Sequence, residues 1–369
     1  MGIKIIINLI KNKRILIIGP FPNPISGVSL ANNVVKESLE DSKEFNVQYL
    51  NTSYPIFEDK VGNFSINKFI FFLKVNFKFF KIFRSDIVYI TPGQTFFGVL
   101  KYGVFILISS IFKKELIIHV HGNYLHKQYK ELKKIKKHIF HFLISRFNKG
   151  IVLSESLKPN LKPFIKKDKI FVLYNFAEDY LSLDLTEKEK HNLNICYLSN
   201  LMEEKGINFL LDALTELENL NIPYKARIAG NIDVQIRESI LAKINSLKNT
   251  TYLGVIKGEK KKNLLNWSNI FILPTFYKME GQPISIIEAL ATGNVIITTN
   301  HAGIPDIIEH KINGYLTKTK DNLDIVKAIN YFYENKNRII EIGNYNKMYF
   351  AKKFTLQKFK TEIINIINS

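Results

Sequence analysis

The strongest constraint on this chain is an alternation that runs from end to end. Six short runs rich in β-branched and apolar residues come first: "RILIIG" (14–19), "NVQYL" (46–50), "IVYITP" (87–92), "ELIIHVH" (115–121), "GIVLS" (150–154) and "KIFVLYN" (169–175). Helical patterns separate most of them, among them 28–40 and the long basic stretch 127–147. Strands spaced in this way pair in parallel and are joined by crossover helices. A polar, aperiodic stretch interrupts the series, and six more runs follow: "NICYLS" (194–199), "KARIAG" (225–230), "TYLGV" (251–255), "IFILP" (270–274), "NVIITT" (294–299) and "GYLT" (314–317). The pattern predicts two doubly wound, Rossmann-like α/β domains facing each other across a cleft. Their expected bounds are 1–176 and 194–350, with a linker over 177–193 and a C-terminal helix, 351–369, returning to the first domain. Ligands of such sheets bind beyond the carboxyl ends of the strands, and a cleft between domains offers a second concave surface.

The bulk properties narrow the class. Of the 369 residues 46% are hydrophobic and 23% charged, the balance of a soluble globular chain. One cysteine, Cys196, excludes a disulfide framework and points to a reducing compartment. The longest apolar run, 102–112, falls short of the ~20 residues a spanning helix needs. "MGIKIIINLI" lacks a cleavage site of small residues, so no signal peptide is expected. Charge is unevenly spread. Residues 1–175 hold 28 Lys+Arg against 11 Asp+Glu, whereas the remainder holds 24 against 22. A genome-wide lysine bias would affect both halves alike.

The usual cofactor motifs of this fold class are absent. No G-x-G-x-x-G follows a strand, no P-loop occurs, and there is no D-x-D or histidine pair spaced for zinc. The informative stretch is "MEGQPISIIEALATG" (279–293). Pro283 suits the first turn of a helix running over roughly 283–292, and Gly293 suits its end. The N-terminus of that helix, with Gly281, Gln282, Pro283 and Ile284, is an anion site in waiting. Glu288 lies among isoleucines, where a carboxylate needs donors; ribose hydroxyls are one source and a neighbouring lysine is another. Glu280, eight residues earlier, could reach a group attached beyond the phosphates. Lys205, in "SNLMEEKGINFLLDAL", sits where a cation opposes the helix dipole unless a phosphate, or Glu203 and Glu204, offset it. Gly27, in the loop after the first strand, permits close approach of a ligand. His119 and His121 alternate onto one face of a strand, with His121 nearer its carboxyl end.

Taken together these features resemble glycosyltransferase family 4, retaining enzymes with the two-Rossmann GT-B fold. The similarity is strongest over 251–317, with the Glu280/Glu288 pair spaced as E-x7-E and the later "GIPDII"; "EKGI" (204–207), "VLYN" (172–175) and "HG" (121–122) occur in the expected order. The resemblance implies that Glu288 binds the nucleotide ribose, Glu280 touches the donor sugar, Lys205 holds the diphosphate and His121 meets the sugar near the reacting carbon. It also places the loop around Gly27 against the diphosphate and acceptor. Two positions depart from the family pattern. Asn200 stands where an arginine is common beside the diphosphate, and Ser26-Gly27 stands where two glycines are common.

The expected function is therefore metal-independent, retaining transfer of a sugar from a nucleotide diphosphate to a saccharide acceptor, lipid-linked, in bacterial surface-polysaccharide assembly. No cofactor is expected beyond the nucleotide sugar. The expected location is cytoplasmic, peripheral at the inner membrane face, with the basic first half against anionic lipid. Lys74, Lys78 and Lys81 are expected as one helical stripe within 67–84, and Leu132, Ile135, Ile139, Phe142 and Leu143 as an apolar stripe within 127–147. Nucleic acid is not an expected partner, because the basic stretches 127–137 and 162–169 lack interleaved stacking aromatics. An epimerase or phosphorylase on the same fold is the alternative.

Overall fold

The computed structural model describes residues 12–24, 26–54, 66–183, 185, 188 and 192–369. The N-terminal stretch 1–11 and part of the expected linker lie outside the described residues. Among the described residues twelve strands form two six-stranded parallel sheets. The first holds β1 (Lys13–Gly19), β2 (Phe45–Asn51), β3 (Ile87–Ile90), β4 (Glu115–Val120), β5 (Lys149–Val152) and β6 (Ile170–Val172), in the order β2-β1-β3-β4-β5-β6. The second holds β7 (Leu193–Leu198), β8 (Tyr224–Ala229), β9 (Thr250–Tyr252), β10 (Ile270–Leu273), β11 (Val295–Thr299) and β12 (Gly314–Thr317), in the order β12-β11-β10-β7-β8-β9. Both are Rossmann-like, and each reverses its winding once. The reversals fall between β1 and β3 and between β7 and β10, the switch points where such sheets open a crevice.

Many of these strands are buried on both faces and read as unbroken apolar runs, whereas β2 and β9 carry half-exposed positions. β3, β10 and β11 are buried throughout. One face of the first sheet is covered by α2 (Ile66–Asn76), α3 (Phe96–Leu100), α4 (Gly103–Ile111) and α6 (Lys134–Ile144), with α5 (Leu125–Glu131) beside them. Its other face is covered by α1 (Gly27–Asp41) and by α13, described below. The second sheet is flanked by α7 (Ile207–Asn219), α8 (Arg237–Ser246), α9 (Glu259–Trp267), α10 (Ile284–Ala291), α11 (Asn322–Glu334) and α12 (Lys336–Lys353). The last helix, α13 (Leu356–Asn368), returns to the first domain. Phe359, Ile363, Ile366 and Ile367 are buried there beside Ile15, Val35 and Leu39, each such burial contributing about 1.5–3 kcal/mol. Lys149, paired with Glu115 at 2.8 Å, donates to the carbonyls of Ile366 and Ile367 at 3.3 and 3.2 Å, a cation at the negative end of that helix.

Two helical expectations need correction. Residues 127–147 do not form one helix. The chain breaks at Leu132, extended at ψ 143°, and Lys134 has φ +48°, so α5 and α6 are separate. α6 buries Phe140, Leu143 and Ile144 and leaves Ile135 and Phe142 exposed, so the expected stripe does not share one face. Within 67–84, α2 stops at Asn76 and the chain continues as an eight-residue 3₁₀ helix, Phe77–Arg84. Three residues per turn replace 3.6, so side chains three apart eclipse and the lysine stripe is redrawn as Lys78, Lys81 and Arg84.

Candidate active site

The second sheet's switch point gathers the residues singled out from the sequence. β7 ends at Leu198 and runs through Asn200 into a 3₁₀ turn, Glu203–Lys205. Lys205 thus stands immediately before the cap residue Gly206 of α7 rather than inside its first turn. Gly206 makes the turn possible at φ +79°, where a β-carbon would stand 2.1 Å from the Pro274 carbonyl oxygen. Across the crevice, the segment after β10 brings Glu280 to Lys205, with Nζ and Oε2 2.6 Å apart. The Thr275 hydroxyl donates to the same carboxylate oxygen at 3.0 Å, and the Tyr277 ring lies 5.2 Å from the ammonium. Glu203 and Glu204 are therefore not the partners of Lys205. Asn200 is exposed, and its carbonyl accepts from the Tyr197 hydroxyl at 3.1 Å and from the Met202 amide.

Helix α10 begins one residue later than its sequence suggests. Pro283 is the cap, at φ −63° and ψ 121°, and the helix covers Ile284–Ala291 before Gly293 turns it at φ +70°. Its N-terminus points at the gap between the domains, where the δ-carbon of Ile284 lies 3.6 Å from the position of a β-carbon on Gly27. The first turns of α1 and α10 therefore face each other. Ser26 caps α1 through reciprocal bonds with Ser29, which fixes that loop.

Glu288 is 8% exposed and bonds Lys261 of α9, Oε1 to Nζ at 2.5 Å; Lys261 also lies 3.6 Å from Glu178. Burial pushes the Glu288 carboxyl above the usual range, and Lys261 opposes that rise without cancelling it. Burial also presses on Lys261, but Glu288 outweighs it and the ammonium is held above its ordinary value. Lys261 was not anticipated by number. Its only sign was the run "EKKKN" at a helix start, where any of three lysines could have turned inward.

The first domain contributes His121, just beyond β4. Its ring lies 3.9 Å from that of His119, centre to centre, and its Nε2 is enclosed without a hydrogen-bond partner among the described residues. Burial pushes His121 down to about 3, so the ring is neutral. His119 is fully buried, its Nδ1 bonded to the Tyr89 hydroxyl at 2.5 Å, and it is held well below the usual histidine range by burial first and then by His121.

Direct contacts tie this side to the other. A β-carbon on Gly281 would stand 2.5 Å from the His121 carbonyl oxygen, so the two segments touch backbone to backbone. Gln282, 3% exposed, accepts from the Asn175 amide at 2.6 Å, and Asn175 Nδ2 donates to the Gln282 carbonyl at 2.8 Å. Gln94, after β3, donates to the Met279 carbonyl at 3.4 Å, and the Ser156 amide donates to Asp306 at 2.8 Å. Gln94 was not singled out beforehand, and Asn175 only as the last residue of "VLYN". Gln94 follows β3 at the first sheet's switch point, a signal that only strand order makes readable. Lys205, Glu280, Gly281–Ile284, His121 and Gly27 thus converge on one crevice, with Glu288 deeper along α10 and Asn200 on its rim. No group of three or more His, Cys, Asp or Glu suited to a metal occurs among the described residues.

Comparison with known proteins defines the class. Residues 184–348 match the family model described as Glycosyl transferases group 1. An uncharacterized glycosyltransferase of Methanocaldococcus jannaschii is 26% identical over 334 residues, covering 86% of this chain and 84% of the relative. The amylovoran biosynthesis glycosyltransferase of Erwinia amylovora is 28% identical over 145 residues, 38% of this chain and 36% of that one. Among solved structures, HepE of Anabaena in complex with UDP superposes with a TM-score of 0.72 at 16% identity, over 96% of this chain and 99% of that one. The chain is a glycosyltransferase with two Rossmann-like domains in the GT-B arrangement.

Proposed function

We propose that this chain is a retaining glycosyltransferase of family 4, with Glu280 and Glu288 as its E-x7-E pair, that uses a nucleotide diphosphate sugar and no divalent metal. The observation that carries the reading is the Lys205–Glu280 pair at the second switch point, 2.6 Å across, facing the free N-terminus of α10. A cation and a helix N-terminus without a side-chain cap suit a departing diphosphate. Lys205 and the amides after Gly281 stabilise that leaving group, and Glu280 turns to the sugar hydroxyls. Glu288 exchanges Lys261 for the ribose hydroxyls. His121, neutral, presents Nε2 to the sugar near the anomeric carbon, and Gly27 leaves room for the phosphates and acceptor. Asn200 supplies no charge where an arginine would, so leaving-group stabilisation leans on Lys205.

The acceptor oxygen bonds to the anomeric carbon on the face from which the phosphate oxygen departs, and its proton passes to that phosphate. The acceptor is a saccharide carried on a lipid, and the setting is bacterial surface-polysaccharide assembly at the inner face of the cytoplasmic membrane. The amylovoran enzyme among the relatives supports that setting. The contrast between the basic first half and the balanced second supports the location. The test is a panel of nucleotide sugars incubated with and without lipid-linked saccharide acceptors. Nucleoside diphosphate should appear only with acceptor, and the product's anomeric configuration, read by NMR, should match the donor's. Acceptor-independent release of diphosphate or an inverted product overturns the reading.

A further inference from the structure

The 3₁₀ helix Phe77–Arg84 sorts its side chains into three rows, because residues three apart eclipse. Ile82 is buried and Phe79 packs against the core beside it. Lys78, Lys81 and Arg84 form a second row. Phe77, Phe80 and Phe83 form the third, and all three are exposed, Phe77 by 72%. Helix α4 packs against this element, with Phe83 and Phe112 ring to ring at 4.8 Å. The exposed residues are Phe97 and Leu100 on α3 and Val104, Leu107 and Ile111 on α4, spaced by threes and fours so that each helix presents its own on one side. Ile111 is 73% exposed and Phe97 69%. Large exposed apolar residues in the second domain, such as Leu220 and Val234, belong to separate elements.

Contiguous apolar faces of this kind mark a contact surface. The charge around this one selects the partner. Between Ile66 and Lys114 the chain has eight basic residues and one carboxylate, Asp86, which is taken up by Arg14 at 2.6 Å. A second copy meeting this face about a two-fold axis would set like charges opposite each other. An anionic lipid surface complements both features, apolar rows for the acyl boundary and lysines for the headgroups. No described helix is long and apolar enough to cross a membrane, so the face lies on the surface rather than spanning it. The α3 side also begins at the cleft. Phe97 follows Gln94 by three residues, and Gln94 touches Met279 beside the site.

We propose that the Phe77/Phe80/Phe83 row and the exposed sides of α3 and α4 seat in the headgroup layer of an anionic bilayer, delivering a lipid-borne acceptor to the cleft at the Gln94 end. This rests on the membrane-facing reading above and deepens it, because it makes apolar insertion, not lysine attraction alone, hold the enzyme. The experiment uses the full chain and phosphatidylcholine vesicles with rising phosphatidylglycerol. Wild type should co-sediment at low salt and keep a bound fraction in high salt, which screens the lysines but not the phenylalanines. Phe77→Ser with Phe80→Ser should cut partitioning about tenfold and abolish the salt-resistant fraction, with an unchanged melting temperature. Phe80→Trp should shift to the blue on adding vesicles, whereas Leu220→Trp in the second domain should not. Co-sedimentation with no shift at Phe80→Trp overturns this face and leaves membrane association standing. No co-sedimentation at low salt overturns both. A dimer in solution that the serine variant dissociates assigns the face to a second copy and overturns the proposal.

Discussion

Lys205 and Glu280 stand 75 residues apart in sequence and 2.6 Å apart in space, closing the crevice where the second sheet reverses its winding. Both side chains are largely buried, so neither charge is comfortable alone. The pair is a preformed cradle: each side chain has the other as its partner until a ligand engages both.

That geometry makes the first prediction. Lys205→Met leaves Glu280, among the described residues, with the Thr275 hydroxyl and should destabilise the free protein by about 3 kcal/mol, the lower range for breaking a buried pair. Adding Glu280→Gln should recover most of that stability without recovering turnover. Affinity for a nucleoside diphosphate should fall more than affinity for the nucleoside in Lys205→Met. Thermal unfolding and calorimetry read both effects, and equal losses for the two ligands would remove Lys205 from the phosphates.

The second prediction concerns Glu288. If its carboxylate exchanges Lys261 for ribose hydroxyls, Glu288→Ala should weaken nucleotide binding by about 1.5–3 kcal/mol for each charge-assisted bond lost, with α10 still folded. Lys261→Met should act differently. It strips a buried carboxylate of its counter-charge and should lower melting temperature more than it lowers nucleotide affinity. Unchanged nucleotide affinity in Glu288→Ala, measured by calorimetry, would sink the assignment.

Much of this was legible beforehand, for identifiable reasons. Parallel strands covered on both faces are continuous runs of Ile, Val and Leu, and turns such as Gly281-Gln282-Pro283 mark a helix start by chemistry alone. Partners brought together by topology were less visible. That Lys261 turns inward from "EKKKN" depends on how α9 docks, and Gln94 gains meaning only once β3 is known to border the switch point. Local period was the other blind spot. Lysines at 74, 78 and 81 fit an α-helix, and nothing in "FKFFKIFR" announces the tighter 3₁₀ winding that sets Phe77, Phe80 and Phe83 in a row. The break at Leu132–Lys133 likewise has no proline or glycine to signal it.

The third prediction separates the two histidines. His121→Ala should lower turnover sharply with little change in melting temperature, whereas His119→Ala, which orphans the buried Tyr89 hydroxyl, should mainly cost stability. Both rings are held below the ordinary value of 6.5, His121 at about 3, so the unfolded chain takes up protons first as pH falls. Their contribution to stability is complete above about 6.5 and is lost as pH drops towards 3. His121→Asn should therefore flatten the fall in melting temperature over that window. A slope identical to wild type would mean that His121 is not buried neutral.

The last prediction tests whether the domains must meet as closely as they do. Gly281 lies against the His121 backbone, where an added methyl would sit 2.5 Å from the carbonyl oxygen and 2.9 Å from the carbonyl carbon. Neither neighbour can yield easily. The Gly281 carbonyl accepts from Gly303 at 3.0 Å, and the next residue, Gln282, is fastened to Asn175 by two hydrogen bonds. Gly281→Ala should therefore push His121 away from Glu280 while leaving β7, β10 and α10 intact within their own core. A displacement of about 1 Å can cost about a hundredfold in rate, because reacting groups lose alignment. Nucleotide affinity, carried by the second domain, should change far less. Gly122→Ala approaches the same contact from the other side, with its methyl 2.3 Å from the Met279 carbonyl oxygen, and should reproduce the phenotype. Wild-type turnover in both variants would show that transfer does not depend on this contact, and His121 would then have no claim on the reacting carbon.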